Sequence, residues 1–154
     1  MALSSFKQKN YEQTREILHD ILFEKPHLFS QKLYLDNLSD FLLYKMLNSI
    51  RFMNEFNKYK QDLYVLLKQL EISKKELLFS NLYTFIMRNL LDQNQYKEFS
   101  LLIKNCFFPE LIQYMHFPKY LLYRAVFNER MGNLQEAFKL VGEALRKTPK
   151  AEEN

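Results

Sequence analysis

The chain has 154 residues, of which 47% are hydrophobic and 26% are charged, and its formal net charge at pH 7 is +4. This length and composition allow one domain with a sizeable core and exclude a disordered chain. Only 2 glycines and 4 prolines occur. These are too few for the many tight turns of an all-β fold, so the composition favours long helices.

The distribution of charge and the single cysteine narrow the classes of function. The basic residues are scattered, with adjacent pairs at Lys74 and Lys75 and at Arg146 and Lys147. Nucleic-acid binding needs several phosphate contacts on one face, so direct binding of nucleic acid is the weakest alternative. Cys106 alone cannot form a disulfide within the chain. Residues 1–10 do not resemble a secretory signal, and no segment has the roughly 18 apolar residues of a membrane span. We therefore expect a cytoplasmic protein with no membrane contact.

Groups for catalysis or metal binding do not occur in recognisable patterns. His19, His27 and His116 are far apart and lie in no metal-ligand spacing. No glycine-rich phosphate loop is present, and Cys106 falls on an apolar helix face beside Phe107. We therefore expect no enzymatic activity, no metal and no cofactor.

A polar turn followed by Tyr or Leu occurs four times and predicts a repeat. Apolar or small pairs follow each Tyr or Leu by six and seven residues and by ten and eleven, with Gln69 as the exception. These spacings trace one face of a helix. They predict second helices of helical hairpins near 11–24, 59–71, 96–107 and 134–147. The anchoring residues Tyr11, Tyr59, Tyr96 and Leu134 lie 48, 37 and 38 residues apart.

First helices are predicted upstream of three of these anchors. Residues 30–54 form one long helix or two helices joined near Asp40. A capping box from Ser73 to Glu76 predicts a helix over 77–91. Pro118, after a break at His116 and Phe117, predicts a helix over 119–130. Little chain precedes Tyr11, so we expect the first helix of the first hairpin to be cut short or missing and an apolar face to be exposed.

The stretch from Pro118 to Pro149 resembles a tetratricopeptide repeat, with small residues at Ala125, Ala137 and Ala144 and a turn at Gly132. The other three units match by periodicity alone. We therefore predict an all-α fold, a right-handed superhelix of degenerate tetratricopeptide-like hairpins, as a single domain over 1–154. The final unit is expected to be the C-terminal anchor, with Arg146, Lys147 and residues 150–154 as its polar cap.

A more specific resemblance involves the helix LLFSNLYTFIMRNLLD, an Asn/Tyr turn, the helix YKEFSLLIKNCFF and the aromatic-rich helix that leads through Gly132 to a final helix. Residues 77–145 thereby resemble the C-terminal part of Rgg/MutR-type regulators of low-GC Gram-positive bacteria. This resemblance implies a concave face that binds short signalling peptides. The separate DNA-binding domain of that family is expected to be missing, since only ten residues precede Tyr11.

The concave face of such an array is lined by first helices, and their spacing predicts the residues that face it. Arg51 and Arg88 are predicted to be equivalent and to bind a carboxylate or a carbonyl group. Lys119, Leu122, Val126 and Glu129 are predicted to face the groove in the last unit, although we expect specificity to lie in the two middle units. The candidate peptide-binding residues are Tyr44, Arg51, Asn54, Asn81, Thr84, Arg88 and Arg130.

The function that these observations favour is non-enzymatic binding of a peptide or protein segment, in a regulatory role. One alternative is a dimerisation or scaffold module that pairs through the uncapped N-terminal hairpin. A weaker alternative is a helical protein associated with nucleic acid, suggested by the isoelectric point near 9.0.

Overall fold

The computed structural model describes residues 12, 13, 16, 35–109 and 116–148. Within these ranges the fold is all-α, as predicted, and no strand occurs. The helices are α1 (Leu35–Phe52), α2 (Phe56–Ile72), α3 (Glu76–Asp92), α4 (Tyr96–Asn105), α5 (His116–Arg130) and α6 (Leu134–Lys147). Glu12, Gln13 and Glu16 are helical; the rest of the predicted helix over 11–24 lies outside the described residues.

Four connections in the described ranges have the same backbone geometry. Each is three residues long, and its middle residue has a positive φ: 55° at Asn54, 55° at Lys74, 57° at Asn94 and 82° at Gly132. In the first of them, the amide of Asn54 donates to the carbonyl of Arg51, and the amide of Glu55 donates to the carbonyl of Ile50. The other three connections repeat both hydrogen bonds. This pair of bonds defines a Schellman motif, which satisfies carbonyl groups that a helix end leaves open.

The third residue of each connection also begins the next helix. The carbonyl of Glu55 accepts a hydrogen bond from the amide of Tyr59, and the carbonyl of Gln95 accepts one from the amide of Phe99. The same bond follows Lys75 and Asn133. One three-residue unit therefore ends one helix and starts the next. Because Asn54, Lys74 and Asn94 lie 20 residues apart, the first four described helices follow one another at an even spacing.

This geometry corrects the repeat register that the sequence predicts around Tyr59. Asn57, Lys58 and Tyr59 do not form a turn, since all three lie within α2. The residue equivalent to Tyr96 and Leu134 is Phe56, the first residue of α2. The intervals are therefore 40 and 38 residues rather than 37 and 38. The prediction used an Asn-containing polar turn followed by Tyr or Leu as the marker, whereas the left-handed residue marks the turn.

Two predicted helix boundaries are also wrong. Ser73 does not start α3 as part of a capping box; it follows α2, and its hydroxyl donates to the carbonyl of Leu70 at 3.3 Å. The break at His116 and Phe117 is absent because α5 begins at His116. Pro118 does lie in the first turn of α5, where proline is tolerated because its missing N–H has no helical partner. No interruption occurs near Asp40, since α1 is continuous from Leu35 to Phe52.

The chain folds into two compact units, Met1–Leu82 and Tyr83–Asn154, with the boundary inside α3. In the first unit, α1 buries Leu43, Met46 and Ile50, at the spacings of three and four residues that place side chains on one helix face. The amide of Asn81 donates to the carboxylate of Asp40. The prediction of one domain over 1–154 stays a prediction.

The second unit has an aromatic core around Tyr83. This side chain is fully buried, and its hydroxyl donates to the carbonyls of Leu102 (3.3 Å) and Cys106 (3.4 Å) at the end of α4. Phe108 stacks on Tyr120, with ring centroids 4.5 Å apart, and both rings meet Tyr83 edge-on. The hydroxyl therefore has partners inside the core, where an unpaired polar group would cost free energy.

Helices α5 and α6 pack closely as a hairpin in this unit. Ala125, Ala137 and Ala144 are all buried, as expected for small residues that let two helices approach. On its other side, α5 meets α4 through the stacked rings of Phe127 and Phe99, whose centroids are 4.7 Å apart. The three-alanine pattern of the sequence thus describes the packing of this hairpin correctly.

Candidate functional site

The predicted peptide-binding residues of the first unit differ in how exposed they are and in whether the fold already uses them. Tyr44 and Arg51 are exposed on α1, beside the exposed rings of Phe41 and Phe52. Asn54 is exposed too, but it is the left-handed residue of the first turn. Asn81 is half-buried and bonded to Asp40. Tyr44 and Arg51 are therefore the two candidates whose side chains α1 exposes.

The predicted residues of the second unit are mostly used within the fold. Thr84 is buried, so its side chain does not reach the surface. The guanidinium of Arg88 lies 3.8 Å from the carboxylate of Asp92, one helical turn away. The Nη1 of Arg130 donates to the carbonyl of Leu91 at 2.7 Å and lies 3.4 Å from the side-chain oxygen of Asn94. Arg130 thus holds the turn between α3 and α4 rather than pointing into solvent alone.

Arg51 and Arg88 are not equivalent in the corrected register. Arg51 lies three residues before the left-handed Asn54, whereas Arg88 lies six residues before the left-handed Asn94. The residue that matches Arg51 before the turn at Asn94 is Leu91, which is buried. The predicted pair of equivalent guanidinium groups therefore does not occur, because the register error at Tyr59 moved the first unit by one helical turn.

An apolar groove lies on the hairpin formed by α5 and α6. Its volume is about 380 Å³, within the usual range for ligand sites. Glu129 is the charged residue among those that line it. The complete lining is Leu122, Ala125, Val126, Glu129, Leu134, Ala137, Phe138 and Val141. We refer to this surface as the α5–α6 groove.

Helix α6 forms one wall of the groove because it carries two apolar faces. Its first face, Ala137, Leu140 and Ala144, is buried against the rest of the unit. Its second face is a stripe of large side chains that remain exposed. The exposed fractions of this stripe are 56% at Leu134, 78% at Phe138, 37% at Val141 and 71% at Leu145. At about 100° per residue, the two faces lie roughly a quarter turn apart, so covering one leaves the other open.

Helix α5 forms the opposite wall. Leu122 and Val126 are 42% and 38% exposed, and Glu129 follows on the same face toward the turn. Lys119, one turn before Leu122, is exposed. The sequence predicts these four residues as groove-facing. The sequence does not predict the α6 wall, because the repeat spacings place Leu140, Val141, Ala144 and Leu145 on one helix face. Residues 150–154 of the predicted polar cap lie outside the described residues.

Charged residues of opposite sign lie at the two ends of the α5–α6 hairpin, and of these Glu129 lines the groove. Glu129 lies at the end where α5 turns into α6, while Lys119 and Arg146 belong to the other end of the hairpin. Nη1 of Arg146 lies 3.8 Å from the position that a Cβ of Gly142 would occupy. Neither Glu129 nor Arg146 has an ion-pair partner among the described residues.

The described residues were also considered as a metal site or as membrane-spanning helices. No three His, Cys, Asp or Glu side chains there lie close enough together to hold one metal ion. None of the helices described is both long enough and apolar enough to cross a bilayer. His116 begins α5, and Cys106 follows α4 half-buried; His19 and His27 lie outside the described residues.

The chain matches no protein-family model, and comparison with curated proteins gives no match.

Proposed function

We propose that this chain is a non-enzymatic, tetratricopeptide-like helical-repeat domain that binds a helical segment of a protein in the α5–α6 groove. The repeated three-residue turns support the repeat assignment, since one backbone motif connects helices at four places. The right-handed superhelix belongs to the same proposal. It follows from stacking such hairpins, each of which cannot bury its apolar faces alone.

The observation that carries the proposal is the exposed stripe on α6. Leu134, Phe138, Val141 and Leu145 are spaced by four, three and four residues, which is the seam pattern of packed helices. Scattered surface hydrophobes need no explanation, but a continuous stripe beside a groove indicates an interaction surface. At 1.5 Å per residue the stripe is about 16 Å long, enough for three turns of a docked helix.

A regulatory role is the second part of the proposal. The region that resembles Rgg/MutR-type regulators, residues 77–145, spans α3 to α6 and so includes the groove. In this view a peptide that binds the domain changes which partner the groove accepts. Tyr44 and Arg51, exposed on α1, are the proposed contacts for such a peptide in the first unit.

The test of groove binding uses a synthetic amphipathic helix. A fluorescent peptide with leucine at alternating spacings of three and four residues is titrated with the protein, and its anisotropy is recorded. We expect saturable binding that Phe138→Ser weakens by roughly tenfold or more, because a central aromatic contact is lost. Phe138 is 78% exposed, so this change should leave the fold intact.

Two controls make the test specific. Phe107→Ser removes another exposed phenylalanine, 89% exposed and outside the groove, and should leave binding unchanged. A scrambled peptide of the same composition has no apolar face and should not bind. Equal binding by the scrambled peptide, or equal loss in both phenylalanine variants, would refute the proposed function.

A further inference from the structure

We infer that the helical segment bound by the α5–α6 groove carries a lysine or arginine about one turn beyond its apolar face, and that this cation pairs with Glu129. This inference rests on the proposed function and names the chemistry of its partner. Three features of the groove support it: its apolar lining, the position of Glu129 along it, and the contacts of the charged residues nearby.

The lining of the groove makes the carboxylate of Glu129 sensitive to what binds. Among the described residues that line the groove, Glu129 alone is charged, and the others are leucine, valine, alanine or phenylalanine. Glu129 is exposed, as are Val126 and Phe138. A helix that packs on these apolar side chains also removes water from the carboxylate beside them. That loss of hydration costs free energy unless an opposite charge replaces the water.

The position of Glu129 predicts where the cation of the partner lies. Glu129 is next to the last residue of α5, so it lies at the end of the groove where the chain turns toward α6. Val126 lies three residues earlier, which is about 4.5 Å along the helix axis at 1.5 Å per residue. A docked helix with apolar side chains on Leu122 and Val126 therefore reaches Glu129 about one turn beyond its last apolar contact.

The charged residues near this end of the hairpin leave the pairing to the partner. Glu129 forms no ion pair with another described residue. Arg130 follows it in sequence, but the Nη1 of Arg130 donates to the carbonyl of Leu91 at 2.7 Å. In the first turn of α6, the carboxylate of Glu136 lies 3.8 Å from the Nζ of Lys139. A basic group of the partner would therefore give Glu129 its counter-charge, whereas an acidic group there would add repulsion.

The test varies one position of the synthetic amphipathic helix. Three peptides with blocked termini carry lysine, glutamine or glutamate one turn beyond the apolar face. Each is made with that residue at the N-terminal or at the C-terminal end, because a helix can dock in either direction. In one of the two directions, we expect the lysine peptide to bind roughly three- to fivefold more tightly than the glutamine peptide, and the glutamate peptide to bind more weakly.

Charge changes on the protein identify the group that the lysine meets. Glu129→Gln should remove the difference between the lysine and glutamine peptides, and Glu129→Lys should make the glutamate peptide the tightest binder. Glu71→Lys makes the same charge change at an exposed glutamate of α2 and should leave the order of the three peptides unchanged. Circular dichroism checks that each variant is folded. A lysine preference that survives Glu129→Gln would overturn the inference, as would an equal effect of Glu71→Lys.

The uncharged peptide separates this inference from the proposed function. If the glutamine peptide binds and Phe138→Ser weakens its binding, the proposed function holds whatever the charge series shows. Equal binding of the three peptides, or tightest binding of the glutamate peptide, would then end the inference alone. If none of the peptides binds, both end. Sedimentation of the full chain tests another occupant, since a dimer that Phe138→Ser dissolves would assign the groove to a second copy and overturn the inference.

Discussion

At the scale of single residues, four left-handed positions determine where the helices end. Glycine adopts a positive φ without steric cost and asparagine does so at little cost, but a lysine pays roughly 1–2 kcal/mol. Gly132, Asn94 and Asn54 are therefore understandable turn residues, with φ values from 55° to 82°. Lys74 has a φ of 55° because the Schellman hydrogen bonds around it hold that conformation.

The two glycines give opposite predictions for the same substitution. Gly132→Ala should lower the free energy of unfolding by about 1–2 kcal/mol, because φ is 82° there. Gly142→Ala should raise it by up to about 1 kcal/mol, because Gly142 lies inside α6 and a Cβ meets only Arg146 at 3.8 Å. Urea unfolding of the two variants measures both. Two changes of the same sign would contradict the assigned backbone geometry.

Single residues also show which parts of the fold the sequence predicts and which it does not. Asn94 and Gly132 were placed in turns because both residue types favour such backbone angles. Lysine does not favour a positive φ, so the sequence contained no indication of a turn at Lys74. Ser73 was therefore predicted to belong to a capping box of the next helix instead of to the turn after α2. The hydrogen bonds of Asn81 and Arg130 could not be predicted for another reason. Their partners, Asp40 and the carbonyl of Leu91, are distant in sequence, and only the fold brings them together.

At the scale of one element, α6 shows that an apolar position in a helix is not always a core position. The sequence correctly predicts a helix near 134–147, and the structure gives Leu134–Lys147. It does not reveal that the apolar residues divide between two faces. Periodicity shows which positions of a helix are apolar, but not which of them another helix covers. The exposed stripe becomes visible in the structure, where Leu140 and Ala144 are buried and Leu145 is exposed.

Two leucines of α6 allow these faces to be tested with one chemical change. Leu140 is 3% exposed, so Leu140→Ala should lower the free energy of unfolding by about 2–5 kcal/mol. Leu145 is 71% exposed, so Leu145→Ala should change the stability of the monomer by less than about 0.5 kcal/mol. It should instead weaken binding of the synthetic amphipathic helix. Circular dichroism during urea unfolding and fluorescence anisotropy of the labelled peptide measure the two effects. Similar losses of stability would contradict the division into a buried and an open face.

At the scale of the whole molecule, composition and periodicity predicted the all-α class and three of the second helices. The helices near 59–71, 96–107 and 134–147 correspond to Phe56–Ile72, Tyr96–Asn105 and Leu134–Lys147. The candidate site was predicted less well. Polar residues on first helices were favoured as ligands, yet several of them close turns or pair internally. The apolar groove exists because one apolar face of α6 is exposed. The sequence of α6 alone does not show which of its faces are buried.

The central claim is that the α5–α6 groove binds a helical segment of a protein. Photo-crosslinking tests it most directly, with Phe138, which is 78% exposed, replaced by benzoylphenylalanine so that an aromatic ring stays in the stripe. The protein is mixed with the synthetic amphipathic helix, irradiated and digested, and the linked peptides are identified by mass spectrometry. We expect links from position 138 to the apolar face of the synthetic helix and none when benzoylphenylalanine replaces Phe107 instead. Absence of links from position 138, or equal links from both positions, would contradict the claim.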